Sequence, residues 1–277
     1  MILDIKKLSD SLIAEVKESV QKLKEKPSLT IIMVGNNNAS EVYVRNKIKT
    51  CSAVGIKAQL LHVEESISSE EIKNMIQKLN DDDAVDGILV QSPLPEHIHA
   101  QEIFDCIDPK KDVDGFSSQN MARLYSGDES GLVPGTPKGI MKIIQSHGKI
   151  AGKHAVVIGK STIVGKPLAM LLLHAGATVT VCHSRTEDLS VHTKNADIVI
   201  SAVGRKHLIT ADMIRPNSLV VDVGINVEEN NEGRKLFGDC DTENIEKIAD
   251  ITPVPGGVGP MTIAMLLSNV LQAHTIQ

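Results

Sequence analysis

Short apolar stretches alternate along the chain with longer segments in which apolar residues recur every three or four positions. The short stretches are rich in β-branched residues and nearly continuous in apolar character. That pattern is typical of strands buried on both faces of a parallel sheet. We therefore predict strands at residues 29–34, 58–63, 87–90, 154–158, 178–182, 198–202 and 219–223.

The longer segments predict amphipathic helices between these strands. Alternation of strands and helices indicates an α/β fold with right-handed crossovers and helices on both faces of each sheet. The alternation restarts near residue 150, where a fresh strand leads into a glycine turn. The predicted helices lie at residues 39–54, 69–80, 137–147, 164–175, 242–248 and 260–273.

We predict two domains from this restart. Residues 1–138 form an N-terminal α/β substrate domain, and residues 139–260 form a Rossmann-like domain with a doubly wound parallel sheet. The apolar helix in residues 261–277 returns to complete the first domain.

Composition narrows the function classes. The net charge is -6 and the chain has no Trp, 3 Phe and 2 Tyr, so neither basic patches nor stacking platforms favour nucleic-acid binding. The four scattered cysteines indicate free thiols rather than disulfides or a metal site. No apolar run approaches the ~20 residues that cross a bilayer. We expect a cytoplasmic protein that binds no membrane, nucleic acid or metal.

One turn is typical of a nucleotide site. Gly159 ends the strand at 154–158, Lys160 and Ser161 follow, and Gly165 opens the next helix. Such a turn offers free N–H groups and a positive helix dipole to phosphate. Five residues separate the two glycines, so the spacing matches neither G-x-G-x-x-G nor a P-loop. An ordinary turn between strand and helix remains the alternative.

The end of the following strand bears on the choice of cofactor. An NAD site usually presents an acidic residue there, which binds the ribose 2′-hydroxyl. This chain has Ser184 and Arg185 at that position, and with Lys160 they could contact a 2′-phosphate. The sequence therefore favours NADP, with an exposed polar loop as the alternative.

Four further elements carry candidate chemistry. Tyr43 and Lys47 lie one helical turn apart, Gln91 ends a predicted strand, and Asp114 lies in an acidic turn. Each could also be a packing feature or a solvated turn. The segment 252–262 holds three prolines and three glycines just before an apolar helix, and so rigid a loop is rarely a mere connector.

These blocks, in this order, resemble the methylenetetrahydrofolate dehydrogenase/cyclohydrolase family, from about residue 30 to residue 270. The matching segments are 43–47, 91–95, 111–116, 159–167 and 252–262. The resemblance implies oxidation of 5,10-methylenetetrahydrofolate by NADP, followed by hydrolysis of the methenyl product to 10-formyltetrahydrofolate. It also implies a homodimer. A monofunctional NAD(P)-dependent dehydrogenase and a non-catalytic dinucleotide-binding regulator are the alternatives.

The resemblance assigns roles residue by residue. Lys47 matches the family's key catalytic lysine, Tyr43 the tyrosine that stacks on the pterin, Gln91 the partner of the lysine, and Asp114 the residue that anchors the pterin. A carboxylate at that place can accept hydrogen bonds from pterin N–H groups. The substrate would also contact Pro255, Gly256 and Gly257. Predicted cofactor contacts are Gly159, Lys160, Ser161, Ser184, Arg185, Ile225, Gly259 and Thr262.

Three positions depart from the family pattern. Ser117 stands where the family often has His, and Gly135 stands where it commonly has Cys. Lys160 replaces the usual Arg, so a single point charge would face the 2′-phosphate in place of a bidentate guanidinium. We expect the first two changes to affect packing and the third to affect cofactor preference.

Overall fold

The computed structural model describes residues 1–230 and 233–277, and the side chains of these residues except 38, 39, 229, 230, 233 and 234. The described chain forms two compact units. One contains Ser11–Gly135 and Ile263–Gln277, and we call it the three-stranded unit after its sheet. The other contains Met1–Asp10 and Thr136–Thr262, and we call it the five-stranded unit.

The three-stranded unit has a parallel sheet in the order β2-β1-β3. Its central strand is buried along nearly its whole length, as the sequence predicts. Its strands are β1 (Ser28–Val34), β2 (Lys57–Val63) and β3 (Gly87–Val90), and its helices are α2 (Asn38–Val54), α3 (Ser69–Asn80), α4 (Ala100–Phe104) and α5 (Ser118–Ser126). Helix α1 (Ile5–Lys22) contributes residues to both units.

The five-stranded unit has a parallel sheet in the order β10-β7-β6-β4-β5 and a separate antiparallel hairpin, β8-β9. Together the two parallel sheets confirm the predicted two-domain α/β fold. The strands of this unit are β4 (His154–Ile158), β5 (Thr178–Cys182), β6 (Ile198–Ser201), β7 (Leu219–Asp222), β8 (Asn226–Asn230), β9 (Gly233–Phe237) and β10 (Asp250–Ile251), and its helices are α6 (Gly135–His147), α7 (Gly165–His174), α8 (Leu189–Thr193) and α9 (Thr242–Ile245).

Helix α10 (Val258–Ile276) begins in the five-stranded unit and ends in the three-stranded unit. Its buried Leu266, Leu267 and Val270 join the core around Ile31 and Leu89 of the three-stranded sheet. The predicted return of the C-terminal helix is therefore confirmed, and burial of its apolar side chains stabilises that return.

Two strands differ from the prediction of burial on both faces. Most residues of β2 and β5 are exposed or half-buried. Each lies at the edge of its sheet and pairs with a single neighbour, β1 or β4. An apolar sequence run does not show whether a strand is central or at an edge, because that depends on sheet order. The sequence also did not predict β8, β9 or β10.

The first ten residues pack differently from the predicted domain division, which placed them with residues 11–138. The amino terminus of Met1 donates hydrogen bonds to the carbonyl oxygens of Glu246, at 2.8 Å, and Ala249, at 2.7 Å. Leu3 N donates to the Ile251 carbonyl oxygen at 2.9 Å. These contacts explain why Met1–Asp10 groups with the five-stranded unit. The assignment of a ligand to each domain stays a prediction.

Candidate functional site

The three-stranded unit brings together three of the four predicted side chains. Lys47 Nζ on α2 donates a hydrogen bond to Gln91 Oε1 at 3.1 Å, just beyond β3. The Gln91 amide is oriented by its own contact, because Nε2 donates to the Ser92 carbonyl oxygen at 2.5 Å. The glutamine therefore presents its oxygen to the lysine. It positions the amine without adding a charge beside it.

Asp114 lies close enough to Lys47 for the two charges to interact. Burial raises the pKa of the Asp114 carboxyl to about 6, and the positive charge of Lys47 opposes part of that rise. A carboxyl with a pKa near neutrality, beside a lysine, is a candidate functional group. The interaction with Lys47 joins two residues that lie far apart in the sequence.

Tyr43 lies one turn before Lys47 on α2 and is 44% exposed. Helix α2 is well defined at both ends: the Asn37 side chain accepts a hydrogen bond from Ser40 N at 3.0 Å, and Gly55 ends the helix in the left-handed conformation. These caps hold Tyr43 and Lys47 on a stable helix. An exposed aromatic ring so close to Lys47 is available to a flat ligand.

The turn that carries Asp114 is held by Asp112, which the sequence analysis did not single out. Asp112 is 1% exposed, and its carboxylate accepts hydrogen bonds from Phe116 N at 3.2 Å, Ser117 N at 2.8 Å and Asn120 Nδ2 at 3.0 Å. Burial raises the pKa of this carboxyl while these hydrogen bonds oppose the rise. Asp112 therefore holds the backbone that follows Gly115.

Helix α10 supports the same turn from the other side. Buried Asn269 donates to the carbonyl oxygens of Val113 and Val133, both at 2.8 Å. Gly115 has a φ of 68°, and a Cβ there would collide with the backbone of Leu132, Val133 and Pro134. Only glycine suits this position. Sequence reasoning missed Asn269 because it lies inside an apolar helix, far from the turn along the chain.

Ser117, the first departure from the family pattern, has a local structural role. Its hydroxyl oxygen accepts a hydrogen bond from Asn120 N at 3.3 Å and so caps the start of α5. The second departure, Gly135, is buried at the start of α6. The next residue, Thr136, pairs with Thr262 at 3.0 Å between hydroxyl oxygens.

In the five-stranded unit, the glycine turn has the close backbone packing that a nucleotide site needs. Gly159 has a φ of 128°, and a Cβ there would collide with the Ala202 carbonyl oxygen. A Cβ on Gly165, the first residue of α7, would collide with the Gly159 carbonyl oxygen. Both positions therefore require glycine. Lys160 and Ser161, between them, are exposed.

The hydroxyl of Ser161 faces the start of α7. Its oxygen accepts hydrogen bonds from Val164 N at 3.2 Å and Gly165 N at 3.3 Å. A ligand oxygen at this end of the helix would meet the positive end of the helix dipole, and it would compete with the Ser161 hydroxyl for these two N–H groups. The role of Ser161 as a cofactor contact stays a prediction.

Ser184 and Arg185 follow β5, which pairs directly with β4, the strand that ends at the glycine turn. Both residues are exposed. Their backbone forms a tight turn in which Arg185 N donates to His183 Nδ1 at 3.1 Å and Thr186 N donates to the His183 carbonyl oxygen at 2.8 Å. His183 therefore shapes the turn.

Ile225 is 52% exposed after the end of β7. The remaining predicted residues lie around the start of α10. There Pro255, Gly256 and Gly259 are exposed or open to solvent, whereas Gly257 is buried against the Pro253 carbonyl oxygen. Thr262, in the first turn of α10, is half-buried. Their assignments to folate or cofactor stay predictions.

No group of three or more His, Cys, Asp or Glu side chains among the described residues could hold a metal ion. No helix among them is both long and apolar enough to span a membrane.

Comparison with known proteins identifies the family. The model for the tetrahydrofolate dehydrogenase/cyclohydrolase catalytic domain matches residues 3–114, and the model for its NAD(P)-binding domain matches residues 134–277. A relative from Streptococcus agalactiae, called bifunctional protein FolD, is 50% identical over 278 residues, covering 98% of this chain and 96% of its own.

Solved structures of the same family are similar to this chain over its whole length. The bifunctional FolD dehydrogenase/cyclohydrolase of Campylobacter jejuni has a TM-score of 0.96 at 47% identity and covers 100% of this chain and 99% of its own. The Trypanosoma brucei FolD, solved with NADP cofactor and inhibitor, has a TM-score of 0.94 at 33% identity and covers 100% and 97%. The chain belongs to the tetrahydrofolate dehydrogenase/cyclohydrolase family.

Proposed function

We propose that this protein oxidises 5,10-methylenetetrahydrofolate to 5,10-methenyltetrahydrofolate with NADP, and then hydrolyses that product to 10-formyltetrahydrofolate. The observation that carries the proposal is the Lys47–Gln91 hydrogen bond beside Asp114. A protein that only binds a dinucleotide has no use for a lysine held by a glutamine beside a carboxyl group. The near-complete match to proteins described as bifunctional also favours two activities over one.

The hydrolytic step needs little nucleophilic force, because the methenyl substrate is a cation and already electrophilic. It needs an oriented water molecule and a group that exchanges a proton with it. Lys47 can orient the water and exchange a proton with it, since Gln91 holds its amine in place. Asp114 is suited to accept hydrogen bonds from the pterin N–H groups, and the exposed ring of Tyr43 is suited to stack on the pterin.

The residues of the five-stranded unit fit NADP. The two glycines let the turn pack closely against its own backbone, and this packing leads the chain into α7, whose positive end suits a pyrophosphate. Lys160, Ser184 and Arg185 are exposed and carry the positive charge and the hydroxyl that suit a 2′-phosphate. NADP, when bound, accepts the hydride of the first reaction, and the task of these residues is to position it.

A coupled assay tests the proposal. The protein is supplied with methylenetetrahydrofolate and NADP or NAD, and reduced nicotinamide and methenyl product are followed together. We expect hydride transfer with NADP and enzyme-accelerated loss of the methenyl compound. No hydride transfer with either cofactor would contradict the proposed enzyme. Accumulation of methenyl compound at its spontaneous rate of hydrolysis would support the monofunctional alternative.

We also propose a homodimer formed through the five-stranded unit, in the cytoplasm. The edge strand β5 has one paired neighbour among the described residues. Large apolar side chains are exposed on it and on its flanking helices: Leu173 at 53%, Val181 at 42% and Val191 at 63%. A second copy would cover this surface and its unpaired strand edge. Val181→Asp should then yield monomers in sedimentation velocity, and an unchanged dimer would contradict this interface.

A further inference from the structure

Two buried aspartates at the carboxyl edge of the five-stranded sheet are not part of the predicted site. Asp222 ends β7 and is 1% exposed, and Asp239 follows β9 and is 0% exposed. No ion pair found among the described residues includes either of them. Two carboxylates buried without a cation are costly unless hydrogen-bond donors surround them. We call the two side chains the aspartate clasp.

Asp239 takes its donors from the loop that follows β6. Its Oδ2 accepts hydrogen bonds from Ser201 Oγ at 3.0 Å, Val203 N at 2.8 Å and Gly204 N at 3.3 Å, and its Oδ1 accepts from Arg205 N at 2.8 Å. One carboxylate therefore determines the path of the backbone over residues 201–205.

The clasp also holds the loop that follows β7, the next strand of the sheet. Asp239 Oδ1 accepts from Asn226 Nδ2 at 3.2 Å, and Asp222 Oδ1 accepts from Gly224 N at 3.0 Å. These donors stand on either side of the exposed Ile225. The two strand-end loops are thus tied to the same pair of carboxylates.

The Asp222 carboxylate in turn holds the backbone at Asp239. Asp239 N donates to Asp222 Oδ1 at 2.9 Å, and Cys240 N donates to Asp222 Oδ2 at 2.8 Å. A Cβ on Gly224 would collide with the Asp239 carboxylate, and a Cβ on Gly238 would collide with the Asp222 carboxylate. Glycine at both positions lets the carboxylates approach the backbone closely.

Ligands of a doubly wound sheet lie at the carboxyl ends of its strands. The clasp acts on two such ends, β6 and β7, and its donors include no side chain of the predicted cofactor contacts. We infer that Asp239 and Asp222 are positioning residues for the nicotinamide cofactor, which hold the loops 202–205 and 223–226 in the shape that receives it. This inference rests on the proposed function.

Asp239→Asn is the main test. The asparagine keeps the size of the side chain but replaces one acceptor oxygen with an NH₂ donor, which would face a backbone N–H of Val203 or Arg205. We expect the KM for NADP and the Kd for NADPH, measured by fluorescence titration, to rise tenfold or more. The cyclohydrolase reaction needs no cofactor, so its kcat and KM, measured on added methenyltetrahydrofolate, should stay within twofold.

Asp197→Asn is the matched control. Asp197 precedes β6 at its opposite end, and its carboxylate also binds a backbone donor, His154 N, at 2.9 Å. This change should lower the melting temperature but leave the KM for NADP unchanged. A purely structural role of Asp239 would instead lower both activities together and would overturn the inference. A wild-type KM for NADP in Asp239→Asn would overturn it too.

Ser201→Ala covers the case in which Asp239→Asn does not fold. It removes one hydrogen bond to the clasp and leaves the carboxylates in place. A rise of twofold or more in the KM for NADP, with unchanged cyclohydrolase kinetics, supports the inference, and no rise overturns it. Failure of the proposed function looks different, because the wild-type protein would then transfer no hydride to NADP or NAD.

Discussion

The two units present their candidate residues in contrasting ways. In the three-stranded unit the chemistry lies in side chains: Lys47 is hydrogen-bonded to Gln91, and Asp114 has a pKa raised to about 6 by burial. In the five-stranded unit the site is mostly backbone. There Gly159 and Gly165 pack against backbone carbonyl oxygens, and the turn between them leads into the start of α7, where we propose that the cofactor binds. The first kind of site can move a proton, and the second can position a cofactor.

The units nevertheless share one device. In each, buried carboxylates that take part in no ion pair found among the described residues hold the loops that carry the candidate contacts. Asp112 holds the turn of Asp114, and Asp222 and Asp239 hold the loops on either side of Ile225. Rigid support of this kind keeps a site in its working geometry before the ligand arrives. The two units should therefore respond separately to substitution.

Lys47→Met should have the largest effect. We expect the cyclohydrolase rate to fall by about 10²-fold to 10⁴-fold, because the proton-exchanging group is lost, while the Kd for NADPH stays near normal. Lys49→Met, at an exposed position on the same helix, is the control and should keep both properties. Loss of NADPH binding in Lys47→Met would contradict the proposal that Lys47 serves the folate chemistry and not cofactor binding.

Gly165→Ala should impair NADP binding by the five-stranded unit. The new Cβ would collide with the Gly159 carbonyl oxygen, so the turn must shift, at a cost of about 1–3 kcal/mol in the free energy of unfolding. The KM for NADP should rise at least about tenfold, with cyclohydrolase kinetics retained. Gly148→Ala, in the same unit but with open space around the new Cβ, should change neither. Normal NADP kinetics in Gly165→Ala would contradict the proposal that the glycine turn before α7 positions NADP.

Folate binding by the three-stranded unit should depend on pH through Asp114. Because its pKa is raised to about 6, Asp114 loses its charge below pH 6, and the KM for the folate should rise about tenfold per pH unit there. The KM for NADP should not change with pH over the same range. Asp114→Asn should remove this pH dependence and weaken folate binding at every pH. The control is Asp83→Asn, at an exposed position, which should leave the pH dependence of the folate KM unchanged. A pH-independent folate KM in the wild type would contradict the role of Asp114.

The same variant should also change stability, with a defined sign. Between about pH 4 and 6 the folded protein holds a proton on Asp114 that the unfolded chain releases, so this carboxyl lowers the free energy of unfolding as pH rises through that range. Asp114→Asn should therefore melt at a higher temperature than the wild type at pH 7.5. The difference should shrink at pH 4. Thermal unfolding at the two pH values measures it.

Lys160→Ala should have the smallest effect. Loss of one exposed positive charge should weaken NADP by about tenfold and NAD by less than about twofold, since only NADP carries the 2′-phosphate. Lys160→Arg, which restores the residue usual in the family, should tighten NADP slightly. Lys149→Ala, at an exposed lysine elsewhere in the five-stranded unit, is the control. Equal loss of both cofactors in Lys160→Ala would refute a contact with the 2′-phosphate.

Much of the fold could be predicted because its signals are local. Strand β4 and helix α3 have the bounds that their apolar patterns predict, and capping residues mark the helix ends. The burial of β2 and β5 could not be predicted, because strand order in a sheet is a non-local property. The hairpin β8-β9 was missed because its polar residues resemble a loop.

The candidate residues divide in the same way. The sequence by itself determined the α/β fold, the glycine turn and the residue types of Tyr43, Lys47, Gln91 and Asp114, because each depends on a short stretch of chain. Only the tertiary structure decided that Lys47 meets Gln91 and that Asp112, Asn269 and Asp239 support the loops around the site. A buried hydrogen bond joins residues distant in the chain, and one sequence carries no signal for that meeting.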